Sequence, residues 1–428
     1  MARALARPIP LLVVLCAVSF GIRAAWLGAP CHTPCRTSTD HVLVFDESYY
    51  VNAARVIAGL HPPFGSAYAA SPLGEDPNAE HPQLAKLVIA GSIELFGDGP
   101  WAWRLGSLVF GTLAIVGMFA LVCTAGGGPW TALGAAGLMA ADNLLIVHGR
   151  IGTLDIYALA PMLWAGVLYL RRRPLLAGAL VGVAACMKLV GVYVVFALVL
   201  FEALRWLGSR EELGRRVSHL AQLIGAGAVS FFGLLAILDA IAPPYDDAAG
   251  KLVTGGPFAH LGHMLSYAAA QTSPHGPMGI ASYPFAWLVD LKWIVYLNVN
   301  PSQPTAGLVD VHPAVHFLGL ISPPILLIGI PALVFAAVIA VRRPPARDGE
   351  LAMLAVAWFL GTFVPFLLFS LLWQRTTYIY YMVVVMPGVY AAAAWLAARA
   401  RHHPRLIAVW VATVLIAAVI AYPLTPLP

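Results

Sequence analysis

The chain has 428 residues, of which 60% are hydrophobic and 11% are charged, and its mean hydropathy is +0.81. Such a chain has too little polar surface to cover a water-soluble globule, so we predict an integral membrane protein. The formal net charge of +5 could indicate a nucleic-acid partner. The basic residues, however, lie in short loops between apolar segments, where they act as topology signals.

Apolar segments follow one another along the chain. Residues 8–27 resemble a signal peptide, but this stretch is long and lacks a convincing cleavage site, so we expect a retained first helix. Further segments could cross a bilayer at roughly 20 residues per span. They are 101–122, 129–148, 153–170, 174–187, 189–206, 218–241, 314–341, 351–372, 376–396 and 406–424.

The segment Leu84–Phe96 is ambiguous, because it is short and carries Lys86 and Glu94. If it is an interfacial or re-entrant helix, the basic clusters all fall on one side of the membrane, as the positive-inside rule requires. These clusters are Arg3 with Arg7, 171–173, 205–216, 342–347 and 399–405. We therefore predict an all-α polytopic membrane protein with about 11 spans and a cytoplasmic N-terminus.

This topology gives one integral membrane domain over 1–428, with two long outer loops at 28–100 and 242–313 that carry interfacial helices. It places Asp46 and Asp310 outside and Arg172 and Arg343 in the cytoplasm. Cys31 and Cys35 share the first outer loop. We expect them to form a disulfide in an oxidising compartment, although a metal pair or two free thiols remain alternatives.

Two adjacent carboxylates, Asp46 and Glu47, follow the first apolar segment. Carboxylates near a bilayer cost free energy unless they pair, bind a ligand or do chemistry. The alternative is an exposed acidic cap at the start of a short interfacial helix. The outer helix ends also carry charges that depart from the positive-inside pattern, and cations beside lipid attract a phosphate. These residues are Arg104, Arg150, Asp155, Lys188 and Arg375.

A set of short motifs, in order along the chain, resembles the protein O-mannosyltransferase family, including its bacterial members. The motifs are Phe45-Asp46-Glu47-Ser48-Tyr49-Tyr50, His81-Pro82-Gln83-Leu84-Ala85-Lys86-Leu87, Trp103-Arg104-Leu105, Arg150-Ile151-Gly152-Thr153-Leu154-Asp155, Met187-Lys188-Leu189-Val190-Gly191 and Gln374-Arg375-Thr376-Thr377-Tyr378-Ile379-Tyr380-Tyr381. The family's His-Pro-Pro is His-Pro-Gln in this chain. The acidic residue Glu80 beside His81 resembles a feature of the aminoarabinose transferases that modify lipid A. The resemblance therefore leaves the identity of the sugar and of the acceptor open.

The resemblance implies a GT-C-fold glycosyltransferase that uses a lipid-linked sugar. Asp46 would be the catalytic base, and Glu47 would mainly hold the site together, although a covalent route would make one of them the nucleophile. Candidate ligands of the donor phosphate are Lys188, Arg375, Arg150, Lys86 and Arg104. Candidate substrate-binding residues are His81, Asp155, Tyr378 and Tyr49.

Several of these residues have simpler readings. Lys188 could extend to the interface only to end a helix, and Arg150 and Asp155 could be a structural ion pair. Glu80, His81 and His275 could hold a divalent metal ion, with His260 or His263 as other partners, whereas a plain helix start at His81-Pro82 is the simpler alternative. No other cofactor is implied.

The predicted activity is transfer of a sugar, expected to be mannose, from a polyprenyl-phosphate donor to Ser or Thr of a translocated protein. We expect the enzyme in the plasma (inner) membrane, with its active site on the extracytoplasmic face and no nucleic-acid partner. The alternative enzyme modifies a glycolipid or a cell-wall polysaccharide. A lipid or sugar transporter is disfavoured, because it would place charges at mid-membrane rather than at one face.

Overall fold

The computed structural model describes residues 8–31, 35–208, 213–299, 315–342 and 347–424. Asp310 and Arg343, which the topology prediction uses, lie outside these ranges, as does part of the predicted outer loop 242–313. The described residues are mostly helical. The helices are α1 Pro8–Ala24, α2 Glu47–Ile57, α3 Leu84–Phe96, α4 Pro100–Thr124, α5 Pro129–Ala141, α6 Asn143–His148, α7 Leu154–Leu170, α8 Pro174–Met187, α9 Tyr193–Gly208, α10 Leu213–Ile241, α11 Gly256–Ala270, α12 Pro284–Trp287, α13 Pro323–Arg342, α14 Arg347–Leu372, α15 Met382–Arg399 and α16 Pro404–Ile420.

Among the described residues, six helical segments are long and apolar enough to cross a membrane, and they correspond to α4, α9, α10, α13, α14 and α15. Shorter apolar helices form α1, α7, α8 and α16. The prediction of a polytopic, mainly helical membrane protein is confirmed. The count of about 11 spans stays a prediction.

Two predicted spans differ from the observed elements. The span 129–148 is divided at Asp142, whose carboxylate accepts the N–H of Leu144 at 3.3 Å and the N–H of Ser322 at 3.0 Å. These bonds, with one from the Tyr390 hydroxyl, satisfy a buried acidic side chain and begin a new helix. The span 314–341 begins as a strand and becomes helical only at Pro323, a residue suited to the first turn of a helix.

Two short antiparallel hairpins lie in the polar segments. Strand β1 (Tyr245–Asp246) pairs with β2 (Lys251–Leu252), and β3 (Ile294–Val299) pairs with β4 (Val315–Gly319). The register of the second hairpin shifts between Val295 and Leu297. Three-residue or four-residue 3₁₀ turns occur at Ser38–Asp40, Leu189–Val192 and Ile379–Tyr381.

The segment between α1 and α4 contains α2 and α3, which pack against each other. With 13 residues, α3 is too short for a full crossing, which agrees with the interfacial or re-entrant prediction. This segment is tied to the chain after α10, because Asp76 N–H donates to the Pro243 carbonyl at 2.9 Å and Tyr245 N–H donates to the Asp76 carbonyl at 2.8 Å. The predicted Cys31–Cys35 disulfide is confirmed.

Candidate active site

Asp46 precedes α2 and lies outside the membrane-spanning segments. Its side chain makes no capping bond, so the simple cap reading is not supported. No hydrogen bond to the Asp46 carboxylate comes from the described residues. Burial raises the pKa of Asp46 to about 7; the Lys188 charge opposes this shift, and the Asp155 charge adds to it. Asp46 is therefore a carboxylate with open acceptor positions and a pKa near neutrality.

Phe45 fixes the turn that presents Asp46. It has a positive φ of 57°, which is uncommon for a non-glycine residue. Its ring stacks on Tyr296 at 4.2 Å and meets the edge of Tyr380 at 5.5 Å between centroids. These aromatic contacts hold the loop against β3 and the 3₁₀ turn Ile379–Tyr381.

Glu47 lies in a different environment from its neighbour. It is fully buried, and its carboxylate accepts Arg104 Nε at 2.8 Å and Arg104 Nη2 at 2.7 Å. It also accepts the backbone N–H groups of Val44 and Gly152, both at 2.7 Å. A side chain at position 152 would approach the Trp103 carbonyl to 3.1 Å, so glycine allows this close contact. With four donors bound, Glu47 joins α2, α4 and the start of α7.

Lys188 and Asp155 form a buried ion pair between α8 and α7. The two Nζ–Oδ distances are 2.8 and 2.9 Å, and the Lys188 Nζ lies 5.3 Å above the Tyr380 ring and 5.6 Å from the Tyr381 ring. Lys188 is thus not an interfacial side chain that merely ends a helix. The predicted alternative of an Arg150–Asp155 pair is wrong, because Asp155 bonds to Lys188 and Arg150 bonds elsewhere.

Arg375 lies on the same side of the site and is only partly buried. Its Nη1 donates to the Gln271 carbonyl at 3.2 Å, and within the described chain it forms no ion pair. Its charge and that of Lys188 both act on His81. Burial, followed by the charges of Lys188, Lys86 and Arg375, lowers the pKa of His81 well below its usual value. His81 is therefore a neutral imidazole near three cations.

Tyr378 and Tyr49 complete the predicted substrate residues. Tyr378 stacks on Tyr380 at 5.4 Å and lies within electrostatic reach of Asp46 and Arg375. Tyr49 is 49% exposed and meets the edge of Tyr68 at 6.4 Å. The structure thus brings Tyr378 within electrostatic reach of the carboxylate and leaves Tyr49 exposed.

Three predicted phosphate ligands have other partners. All five N–H groups of Arg104 are bound, to Glu47 and to the carbonyls of Leu27, Ala29 and Val42. Arg150 donates to the Tyr422 hydroxyl at 3.3 Å and to the carbonyls of Ala25 and Trp26 at 2.9 and 3.4 Å.

Lys86 pairs with Asp76 at 2.5 Å and donates to the carbonyls of Asn78 and His81. Arg104, Arg150 and Lys86 are buried, and these contacts do not support direct phosphate binding by any of them. Lys86 instead shapes the turn that carries His81.

The predicted metal set is not assembled. Glu80 accepts an amide N–H from Asn78 at 2.7 Å, and in the described ranges Glu80, His81 and His275 do not converge as ligands. The group that does converge is Cys31, Cys35 and His41, but its two cysteines are joined as a disulfide. These residues therefore do not fit a divalent cation.

His148 and Tyr296 are site residues that sequence reasoning missed. His148 Nε2 lies 2.9 Å from the Tyr296 hydroxyl, and its Nδ1 lies 3.0 Å from the Thr153 hydroxyl. Asp155 and Lys188 act electrostatically on His148. A histidine at the end of an apolar segment, just before the Arg150 motif, was the available signal. Tyr296 lies far along the chain, in a strand, and no motif marked it.

Residues 80–232 match the family model described as dolichyl-phosphate-mannose-protein mannosyltransferase. A polyprenol-phosphate-mannose–protein mannosyltransferase of Corynebacterium glutamicum is 34% identical over 116 residues, which are 27% of this chain and 22% of that protein. The match thus spans about a fifth of the relative's length.

Solved structures share the fold. The Saccharomyces cerevisiae protein O-mannosyltransferase Pmt1–Pmt2 complex bound to its sugar donor superposes with a TM-score of 0.69 at 12% identity, over 98% of this chain and 90% of that chain. ArnT of Cupriavidus metallidurans bound to undecaprenyl phosphate gives a TM-score of 0.56 at 21% identity, over 90% of this chain and 59% of that chain. The predicted resemblance is therefore confirmed: the chain shares the GT-C fold of these structures, and residues 80–232 resemble the protein mannosyltransferase family.

Proposed function

We propose that the chain is a glycosyltransferase that moves a sugar from a polyprenyl-phosphate donor to an acceptor hydroxyl, with Asp46 as general base. The observation that carries this proposal is the Asp46 carboxylate, which is partly buried and has open acceptor positions close to the Lys188–Asp155 pair. A base with a pKa near ambient pH combines a useful ionised fraction with enough basicity to take a proton. The raised pKa of Asp46, about 7, meets that requirement.

In the proposed step, the acceptor oxygen attacks the anomeric carbon while its proton passes to Asp46. The bond between the anomeric carbon and the phosphate oxygen breaks, and its electrons leave with the polyprenyl phosphate. A phosphate is already a good leaving group, so no general acid is required. One displacement inverts the anomeric centre. A covalent route through Glu47 is disfavoured, because its carboxylate already binds four donors.

Arg375 and Lys188 are the proposed phosphate ligands. Arg375 retains N–H groups that no described residue accepts, and Lys188 supplies positive charge although Asp155 holds its position. His81, as a neutral ring within electrostatic reach of these cations, can exchange a hydrogen bond with the sugar or the phosphate without adding charge. Together these groups stabilise the charge that develops on the leaving phosphate.

The family model and the Corynebacterium relative support mannose as the sugar and a protein hydroxyl as the acceptor. We place the enzyme in the plasma (inner) membrane with Asp46 on the extracytoplasmic face, because the arginine clusters favour that orientation. Modification of a glycolipid or a cell-wall polysaccharide is the second candidate. It is favoured by the structural similarity to ArnT, which is 21% identical in sequence to this chain, whereas the Pmt1–Pmt2 complex is 12% identical to it.

Purified full-length protein incubated with radiolabelled polyprenyl-phosphate mannose tests the proposal. One reaction receives Ser/Thr-rich peptides, a matched one receives the same peptides with Ala at those positions, and a third receives a membrane lipid extract. Label that appears on the Ser/Thr peptides alone supports the protein acceptor, whereas label in the lipid fraction supports the second candidate. The absence of transfer to any acceptor, with the donor intact, would contradict the proposed activity.

Replacing Arg375 by Met should weaken donor binding about tenfold or more, since a hydrogen bond to a charged group contributes about 1.5–3 kcal/mol. Lys188→Met should also weaken it, but this change leaves Asp155 buried without its partner. The double variant Lys188→Met with Asp155→Asn removes that charge and separates binding from folding. Donor affinity is measured by equilibrium binding of polyprenyl-phosphate mannose. Unchanged affinity in both Arg375→Met and the double variant would exclude these residues as phosphate ligands.

A further inference from the structure

A cavity of about 180 Å³ lies at the far end of the helices that carry the candidate active site. Thr124, at the end of α4, lines it, whereas Arg104 near the start of α4 binds Glu47. A rise of about 1.5 Å per residue places these two ends of α4 roughly 30 Å apart. The cavity is therefore separate from Asp46 and faces the opposite surface of the membrane.

Positive charge predominates among the side chains that line this cavity. Among the described residues, four arginines and two glutamates lie there, together with His219; the charged residues are Arg172, Arg205, Arg215, Arg216, Glu202 and Glu350. Arg205 already holds both carboxylates, through Glu202 Oε1 at 3.3 Å and Glu350 Oε1 at 3.2 Å. With the glutamates bound in this way, the cavity keeps an excess of positive charge, which favours an anionic ligand.

The Arg216 guanidinium has N–H groups without hydrogen-bond acceptors. Its Nε and Nη1 atoms are buried and have no hydrogen-bond partner among the described residues, although its side chain is 13% exposed. The Glu202 Oε2 atom is the nearby carboxylate oxygen, but it lies 3.7 Å from Arg216 Nε and also lacks a hydrogen-bond partner. Buried polar groups left in this state cost free energy.

The Arg216 guanidinium and the Glu202 Oε2 atom lack different hydrogen-bond partners. The guanidinium needs an acceptor, and the carboxylate oxygen needs a donor. Water could satisfy either one, but it carries no charge to balance the excess of arginines over glutamates in the lining. A phosphate ester that carries a hydroxyl group supplies both, because its phosphate oxygens accept from Arg216 and its hydroxyl donates to Glu202.

We propose that this cavity binds a hydroxyl-bearing phosphate ester, of the glycerophosphate type, at the membrane surface opposite to Asp46. Two sources share this chemistry. One is the headgroup of an anionic phospholipid such as phosphatidylglycerol, and the other is a soluble glycerol phosphate. The site is independent of the proposed transfer reaction, because none of its residues contacts the Asp46 group.

Native mass spectrometry of the full-length protein in detergent tests the site, with phosphatidylglycerol and phosphatidylcholine as probes. We expect one phosphatidylglycerol molecule to be retained in preference to phosphatidylcholine. Arg216→Gln should weaken this binding about tenfold or more, the effect expected for loss of a charge-assisted hydrogen bond. Arg172→Gln, at an exposed position that lines the cavity, should act in the same direction without a risk to folding. Arg173→Gln is the matched control, since its arginine comes from the same tripeptide but does not line the cavity.

Competition identifies the source of the phosphate ester. If glycerol 3-phosphate displaces the lipid, the headgroup chemistry is sufficient; if it does not, the acyl chains are also required, and the ligand is the lipid. Either result supports the proposed site only if Arg216→Gln or Arg172→Gln also loses binding. Equal retention of the two lipids with no glycerol 3-phosphate binding would overturn the proposal, as would binding that neither substitution changes. Asp46→Asn should retain phosphatidylglycerol, which separates this site from the transfer site.

Discussion

Asp46 and Glu47 are neighbours in sequence, yet their carboxylates have opposite environments. Glu47 accepts hydrogen bonds from Arg104, Val44 and Gly152 and has no exposed surface. Asp46 accepts none from the described residues. Successive side chains point in different directions, so one can be buried against α4 while the other keeps its acceptor positions open. The fold thereby supports a division between a reacting group and a positioning group.

Asp46→Asn should reduce single-turnover transfer by about 100- to 10,000-fold, the usual contribution of general base catalysis. Amide and carboxylate have the same shape, so donor binding should persist. The measurement uses saturating polyprenyl-phosphate mannose. Near-normal rates in Asp46→Asn would place the base on another residue.

The same step should depend on pH through Asp46. Because the base acts as a carboxylate and its pKa is raised to about 7 by burial, protonation below that value removes the active form. The single-turnover rate should rise about tenfold per pH unit below 7 and level off above it. A rate–pH profile of the wild type checks this, with Asp46→Asn as the control that should lose the ascending limb. A flat wild-type profile between pH 5 and 7 would contradict a titrating Asp46.

Glu47→Gln should act mainly on stability. Removing one partner of a buried ion pair costs about 3–5 kcal/mol, because the other charge stays buried without compensation. Thermal unfolding of the purified variant measures the loss. Glu94→Gln is the matched control, since Glu94 is exposed and should tolerate the change. A Glu47→Gln protein as stable as this control, but inactive, would instead indicate a direct role in the reaction.

At the scale of the elements, the 3₁₀ turn Leu189–Val192 folds the chain back against α8 immediately after Lys188. Gly191 N–H donates to the Lys188 carbonyl at 2.8 Å. A Cβ at position 191 would lie 2.3 Å from the Ala184 carbonyl carbon and 2.5 Å from its oxygen. Backbone atoms cannot move aside as a flexible side chain would. The glycine of the Met187–Gly191 motif therefore sets the position of Lys188.

Gly191→Ala should destabilise the protein by about 1–3 kcal/mol, the usual cost of forcing extra atoms into a packed site. Because the turn must open, donor binding should weaken as well. Thermal unfolding and equilibrium donor binding give the two readouts. Gly233→Ala in α10 is the control, since an added Cβ there meets nothing within 4 Å. If both alanine variants behave alike, the close approach at Gly191 does not constrain the turn.

At the scale of the whole molecule, the predicted orientation in the membrane depends on the direction in which every spanning helix crosses it. Phe64 is fully exposed in the segment between α2 and α3, and Arg172 is exposed between α7 and α8. In intact cells, a membrane-impermeant thiol reagent should label Phe64→Cys and should label Arg172→Cys only after permeabilisation. The parent protein measures background from Cys16, Cys123 and Cys186. Labelling of Arg172→Cys from outside would reverse the proposed orientation.

The sequence by itself determined the membrane class and the apolar segments, whereas the structure decided that Cys31 and Cys35 are bonded. The class and the segments depend on composition and on local spacing, which a linear pattern records directly. It also located Asp46, Lys188, Asp155 and Arg375, because charges near lipid are conspicuous when they interrupt apolar segments.

Only the tertiary structure decided which charges pair. Asp155 bonds to Lys188 rather than to Arg150, and Arg104 is fully engaged by Glu47 and three carbonyls. Tyr296 reaches His148 across a separation of 148 residues. Hydropathy places a charge along the membrane normal but carries no information on which helices are neighbours. The partner of a buried ion is set by helix packing, and for that reason the phosphate ligands were overpredicted from the sequence.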